Sequence, residues 1–94
     1  MSQNEEGFYT YMVECSDGSL YTGWTTDPER RLKEHNAGRG ALYTRWRTPV
    51  QLKYLEAAPD RSAAQKRENE IKRMPRSKKL MLVEEYQGEA GNQN

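Results

Sequence analysis

Aromatic and β-branched residues crowd the chain from Phe8 to Cys15 and again from Ser19 to Thr25, on either side of Ser16-Asp17-Gly18. Two such runs joined by a turn-forming triplet predict an antiparallel hairpin. The period then lengthens. Thr26-Asp27-Pro28-Glu29 combines capping side chains, a proline suited to a first helical turn and a Thr-x-x-Glu box. A helix is predicted from there to about Ala37, with Gly38 as its stop and Gly38-Arg39-Gly40 opening a flexible loop. Val50, Leu52 and Tyr54 alternate with Gln51 and Lys53, the pattern of a third strand with one buried face. Asp60-Arg61-Ser62 leads into a second helix, with Ser62 to Gln65 as another capping box and Pro75 closing it, and a third helix follows from Arg76 to about Tyr86. The order β-β-α-β-α-α, without an internal repeat, predicts a small α/β domain of the α+β type: a three-stranded antiparallel sheet flanked by helices.

Composition narrows what such a domain can do. With 94 residues, 34% of them apolar and 31% charged, and a mean hydropathy of -1.16, the chain builds one small core and carries its function on a polar surface. One domain is expected over residues 7–86, with flexible termini at 1–6 and 87–94. A single cysteine and a single histidine, Cys15 and His35, exclude a disulfide framework and clustered zinc sites. Cys15 has no basic neighbour in sequence to activate it and is expected as a buried strand thiol. Glu5 and Glu6 precede Phe8 where a secretory signal would be apolar, and the longest apolar run, Leu80 to Val83, is far too short for a membrane span. A cytoplasmic protein without membrane contact is expected.

The net charge of +1 conceals a segregation. All 15 Lys and Arg lie between Arg30 and Lys79. Only Glu34, Glu56, Asp60, Glu68 and Glu70 oppose them there, so this stretch nets +10 while the flanks carry nine acids and no base. A basic block of that kind suits a polyanion, most simply nucleic acid. Tyr43, Arg45, Trp46 and Arg47 interleave aromatics with cations, as base stacking and phosphate contact require, although Trp46 could equally pack on the sheet.

Several polar residues stand where chemistry is possible. Ala64, Glu68 and Ile71 follow helical spacing, so one rotation of the second helix turns a carboxylate toward the sheet, where it needs a cation or a cavity open to water. The other rotation turns Ala63, Arg67 and Met74 inward and leaves Glu68 solvated. Arg31 and His35 are four residues apart on one helical face, an arrangement that could hold a phosphate and move a proton, or simply pack a ring. Gly23, late in its strand, marks either a bulge or a close approach. Asp60 with Glu70-Ile71-Lys72 mimics the Asp and Glu-x-Lys pattern of another nuclease class, but that class needs Glu and Lys side by side on a strand. In a helix, positions two apart point different ways, so the pattern is rejected.

Tyr11 on the first strand, Tyr21-Thr22-Gly23 on the second, Arg31 and His35 on the first helix and Glu68 on a later one resemble the GIY-YIG nuclease superfamily. The likeness is to its small stand-alone bacterial members. It extends from about Phe8 to Val83 and includes Asp17 to Gly23, Thr25 to Leu32, Glu34-His35-Asn36, Tyr43-Thr44-Arg45, Pro49-Val50, Arg61 to Ala64, Arg67-Glu68 and Ile71-Lys72-Arg73. The first motif reads Tyr9-Thr10-Tyr11 instead of Gly-Ile-Tyr, the second has Thr22 at its centre, and Pro75 stands where a capping Ser or Thr is usual.

The resemblance implies a DNA endonuclease that hydrolyses phosphodiesters, with Tyr11, Tyr21, Arg31, His35 and Glu68 catalytic and Glu68 holding one Mg²⁺ or Mn²⁺. Arg30, Arg39, Tyr43, Arg45, Trp46, Arg47, Lys72 and Arg73 are the candidate nucleic-acid contacts. Without a separate recognition module, the expected substrate is chosen by structure or ends (branched, flap or single-stranded DNA) more than by base sequence. Cutting both strands would need a homodimer or a second event. Two other readings stay open: a nucleic-acid-binding module without catalysis, and a protein-interaction domain whose acidic ends meet a basic block.

Overall fold

Asp17 makes the first turn. Its Oδ1 accepts hydrogen bonds from the Ser19 amide at 3.0 Å and the Ser19 hydroxyl at 2.6 Å, which hold its carboxyl below the usual carboxylate range. The computed structural model describes residues 7–91, with side chains to Gly88. The turn joins β1, Phe8–Glu14, to β2, Leu20–Thr25. The helix α1, Pro28–Asn36, comes next, with Asp27 as its cap and Pro28 in its first turn. A short helix α2, Leu42–Arg45, then leads to β3, Gln51–Ala58, and the chain ends in α3, Arg61–Lys72, and α4, Arg76–Gly91. The sheet is antiparallel in the order β2-β1-β3. The predicted class therefore stands, with one helix more than the six-element order.

Both faces of the sheet are covered, so β1 reads as a nearly continuous apolar run. Tyr11 and Val13 point to one face, where Cys15, Val50, Leu32, Leu52 and Leu55 pack; Met12 points to the other, against Tyr54, Ile71 and Val83. This corrects the expectation that Val50, Leu52 and Tyr54 share one side. Met12 pairs with Tyr54 but Val13 pairs with Leu52, so Lys53 is an extra residue. Such a bulge reverses the facing of the residues beyond it. Tyr54 thereby reaches the second core.

Two helix boundaries and one short helix also differ from the pattern. The cap of α3 is Asp60, whose Oδ1 accepts from the Ala63 amide at 2.8 Å, and not Ser62. Helix α2 has no counterpart among the predicted elements: four residues are too few for a period. Helix α4 continues to Gly91, past the predicted end at Tyr86, because Gln87, Glu89 and Ala90 are good helix formers that outweigh Gly88. Its start does fall just after Pro75, whose carbonyl accepts from Lys78 and Lys79. The flexibility expected of residues 1–6 and 92–94 lies outside the described residues.

Two polar clamps set the helices against the sheet. The Asn36 amide spans the end of α1 and the start of β3, accepting from Val50 N–H at 2.7 Å and donating to Val50 C=O at 3.1 Å. The buried Thr10 hydroxyl donates to the Ala64 carbonyl at 3.0 Å and ties the first turn of α3 to β1. Glu68 stands one turn further along that helix. Among the described residues no helix is long and apolar enough to cross a membrane.

Candidate active site

Tyr11 is the centre of the polar cluster. It is 2% exposed, and burial drives its phenol up to about 12, against the nearby Arg31 guanidinium, which favours the phenolate; Tyr21 and Glu68 are close enough to raise it further. Three of the other four candidate catalytic residues therefore act on its oxygen. The fourth touches it: the Tyr11 hydroxyl lies 2.8 Å from His35 Nε2.

The direction of that hydrogen bond is set by its surroundings. His35 is fully buried, and its Nδ1 lies 2.8 Å from the Thr44 hydroxyl. That hydroxyl gives its own proton to the Ala41 carbonyl at 3.1 Å, so toward His35 it accepts. Nδ1 then carries the hydrogen, and Nε2 offers a lone pair to the Tyr11 O–H. Burial and the Arg31 charge lower the His35 pKa, which keeps the ring neutral. Tyr11, His35, Thr44 and Ala41 thus form one directed chain.

Two glycines give these rings their places. Gly23 faces Tyr11 across the β1–β2 ladder, and a Cβ there would stand 2.6 Å from the Tyr11 hydroxyl oxygen. The predicted alternative of a close approach is the one realised. Gly40, expected only as loop, lies against the imidazole: a Cβ would be 2.8 Å from Cγ of His35 and 2.9 Å from Cε1. Gly23→Ala should displace the Tyr11 ring, with a loss of about 1–3 kcal/mol in stability. Denaturant unfolding and the Tyr11 ring resonances check this.

The remaining candidates surround the chain. Ala64 and Ile71 are fully buried, so α3 has the rotation that turns Glu68 inward; its side chain is 15% exposed and its Oε2 lies 2.7 Å from Lys72 Nζ. Lys72 also approaches the Tyr21 ring, 5.9 Å from its centroid. Tyr21 meets His35 edge-on at 5.5 Å and is stacked on Tyr43 at 6.0 Å. Arg31 Nη1 is 3.0 Å from Glu34 Oε1, which leaves it partly exposed beside Tyr11.

The nucleic-acid candidates separate into two kinds. Arg47 is built into the fold: its guanidinium lies over the Tyr43 ring at 4.0 Å, donates to the Tyr43 carbonyl, and pairs with Asp17 at 3.0 Å. Tyr43 therefore contacts both Tyr21 and Arg47 and is still 40% exposed. By contrast, Arg30, Arg39, Arg45 and Arg73 are exposed, and Trp46, at 85%, does not pack on the sheet. Thr44 and Gly40 are the residues that pattern reading does not select as functional. A Thr nine residues from the histidine carries no periodic signal, and only the α2 turn brings it under the ring.

The donor set suits a hard divalent cation. Glu68 offers a carboxylate, the phenols offer oxygens, and no group of three or more His, Cys, Asp or Glu converges among the described residues. One carboxylate with the rest of the shell left to water and phosphate is how Mg²⁺ is usually held.

Residues 7–81 match the GIY-YIG catalytic domain. The chain belongs to the GIY-YIG family. It is 65% identical over 77 residues to a UPF0213 protein of Haloquadratum walsbyi, covering 82% of this chain and 86% of that one. A UPF0213 protein of Syntrophus aciditrophicus is 50% identical over 86 residues, covering 90% and 94%. The solution structure of a UPF0213 protein from Bacillus halodurans, 47% identical, superposes with a TM-score of 0.54 over 83% of each chain. A second solution structure, of an E. faecalis protein, is 41% identical, with a TM-score of 0.60 over 92% of each. The small stand-alone group suggested by the motifs is therefore the right one, and the GIY-YIG residues named above sit on a fold its relatives share.

Proposed function

We propose that the protein is a divalent-metal-dependent DNA endonuclease. The observation that supports this best is the buried Tyr11 hydroxyl with a lone pair waiting on His35 Nε2, and a guanidinium and a carboxylate beside it. A phenol held near 12 is no base by itself at neutral pH. Coupled to a neutral imidazole, it can take a proton from an attacking water at its oxygen while passing its own to Nε2, so no free phenolate is needed. The positive imidazolium formed keeps its Nδ1–H on Thr44. Arg31 sits where it offsets charge developing on the phosphate oxygens, and Tyr21 lines the same side. Mg²⁺ or Mn²⁺ on Glu68 would supply charge stabilisation for the phosphate and leaving oxygen.

Substrate choice is governed by the exposed cations. Arg30, Arg39, Arg45 and Arg73 can pair with phosphates, which position a strand without reading its sequence. We therefore propose selection by DNA structure or ends over base sequence. With about three or four phosphates engaged, affinity should fall roughly ten- to a hundredfold between about 50 and 200 mM salt. The test is cleavage of labelled single-stranded, duplex, flap and branched DNA with Mg²⁺ or Mn²⁺, beside EDTA. Metal-dependent products on at least one substrate are expected. Salt-dependent binding to all of them without a cut would instead identify the catalytically silent binding module.

A further inference from the structure

Beside the catalytic cluster, where β2, α2, α3 and α4 meet, lies a cavity of about 290 Å³ lined by Leu20, Tyr21, Thr22, Tyr43, Lys72 and Lys79. Its chemistry is mixed in a telling way. Two ammonium groups and two phenolic rings share it with a leucine and a threonine, and no carboxylate is among them. Thr22 is 3% exposed, and its hydroxyl oxygen is buried with no hydrogen-bond partner among the described residues. That oxygen has no accessible surface, so Thr22 walls the cavity and offers it no hydrogen bond.

The position limits what the ligand can be. Tyr21 is both a wall of the cavity and a neighbour of His35, and Lys72 lies between the cavity and Glu68. A molecule seated there therefore adjoins the place where a phosphodiester would be cut. The size lies just below the usual range for small-ligand pockets, which fits one nucleotide unit and not two. We infer that this cavity seats one nucleotide of the substrate strand, the neighbour of the scissile phosphate, with its phosphate between Lys72 and Lys79. The sugar lies against Leu20 and the Tyr21 and Tyr43 ring edges. No side-chain amide or carboxylate lines the seat to read a base edge, so it accepts any base. With no carboxylate in the lining, binding there needs no divalent cation.

This inference rests on the nuclease reading but has a test of its own. Thymidine 3′,5′-bisphosphate and thymidine are titrated in EDTA into the full chain carrying ¹⁵N and methyl labels. The bisphosphate should move the Leu20 and Thr22 methyls and the Lys79 amide, and thymidine should bind at least tenfold more weakly. Lys79→Met should weaken the bisphosphate about tenfold without altering the amide spectrum elsewhere. Shifts confined to Arg39, Arg45 and Trp46, or no shift in the millimolar range, would overturn the seat even if the protein cuts DNA. Cavity shifts in a protein that cuts nothing would uphold the seat and remove the nuclease reading alone.

Discussion

Glu68→Gln should reduce metal-dependent cleavage by about three orders of magnitude while DNA binding in EDTA stays within about twofold. The substitution keeps the side chain's shape and removes only its charge. Glu68 supplies the one carboxylate on the sheet-facing stripe of α3, where Ala64 and Ile71 are fully buried. The ion pair it loses is with Lys72, 47% exposed, and such pairs contribute little to stability, about 0–1 kcal/mol. Folding should therefore be nearly unchanged, as circular dichroism would register. Titration with Mn²⁺, followed by the paramagnetic broadening of Tyr21 and Ile71 signals, reads the metal directly. Retained broadening in Glu68→Gln would move the cation elsewhere.

This prediction rests on a residue that periodicity leaves between two rotations. The structure decides it through contacts no local pattern contains: the Thr10 hydroxyl on the Ala64 carbonyl fixes how α3 lies on β1. Legibility tracks the range of the interaction throughout. The hairpin, the Asp27 cap and the break at Pro75 depend on neighbours in sequence, and each appears where its residues predict it. The facing of Tyr54 depends on a bulge at Lys53, which alternation cannot reveal. Trp46 shows the limit from the other side. Its size argues for burial, yet the two sheet faces are already filled by Leu32, Leu52 and Leu55 on one side and by Ile71 and Val83 on the other. The exposed ring remains beside Arg45, whereas Arg47, two residues on from Arg45, is drawn into Asp17 and Tyr43.

Thr44→Val should cost about 1–3 kcal/mol in stability and lower cleavage by roughly a hundredfold, whereas Thr44→Ser should restore most of both. Valine fills the same volume but cannot accept a hydrogen bond, so the fully buried His35 Nδ1–H loses its partner. Nothing then prefers the hydrogen on Nδ1 over Nε2. If it moves, Nε2 becomes a donor and can no longer receive the Tyr11 proton. The ring nitrogen ¹⁵N shifts separate this from general loosening: the wild type should show Nδ1 protonated and Nε2 bare, and Thr44→Val a mixture. Acid provides a second readout. The His35 pKa lies below its ordinary 6.5, so below that pH the unfolded chain takes up a proton that the folded chain does not. Stability should fall as pH drops through this region, and cleavage should fall only at still lower pH, where the folded imidazole itself is protonated. At the alkaline end the sign reverses. Tyr11 ionises near 10 when unfolded but near 12 when folded, so above 10 the unfolded chain sheds a proton first and stability declines. A Tyr11→Phe variant should lose cleavage together with the Tyr11 share of that alkaline decline, while Tyr54 and Cys15, which burial also raises, keep the rest.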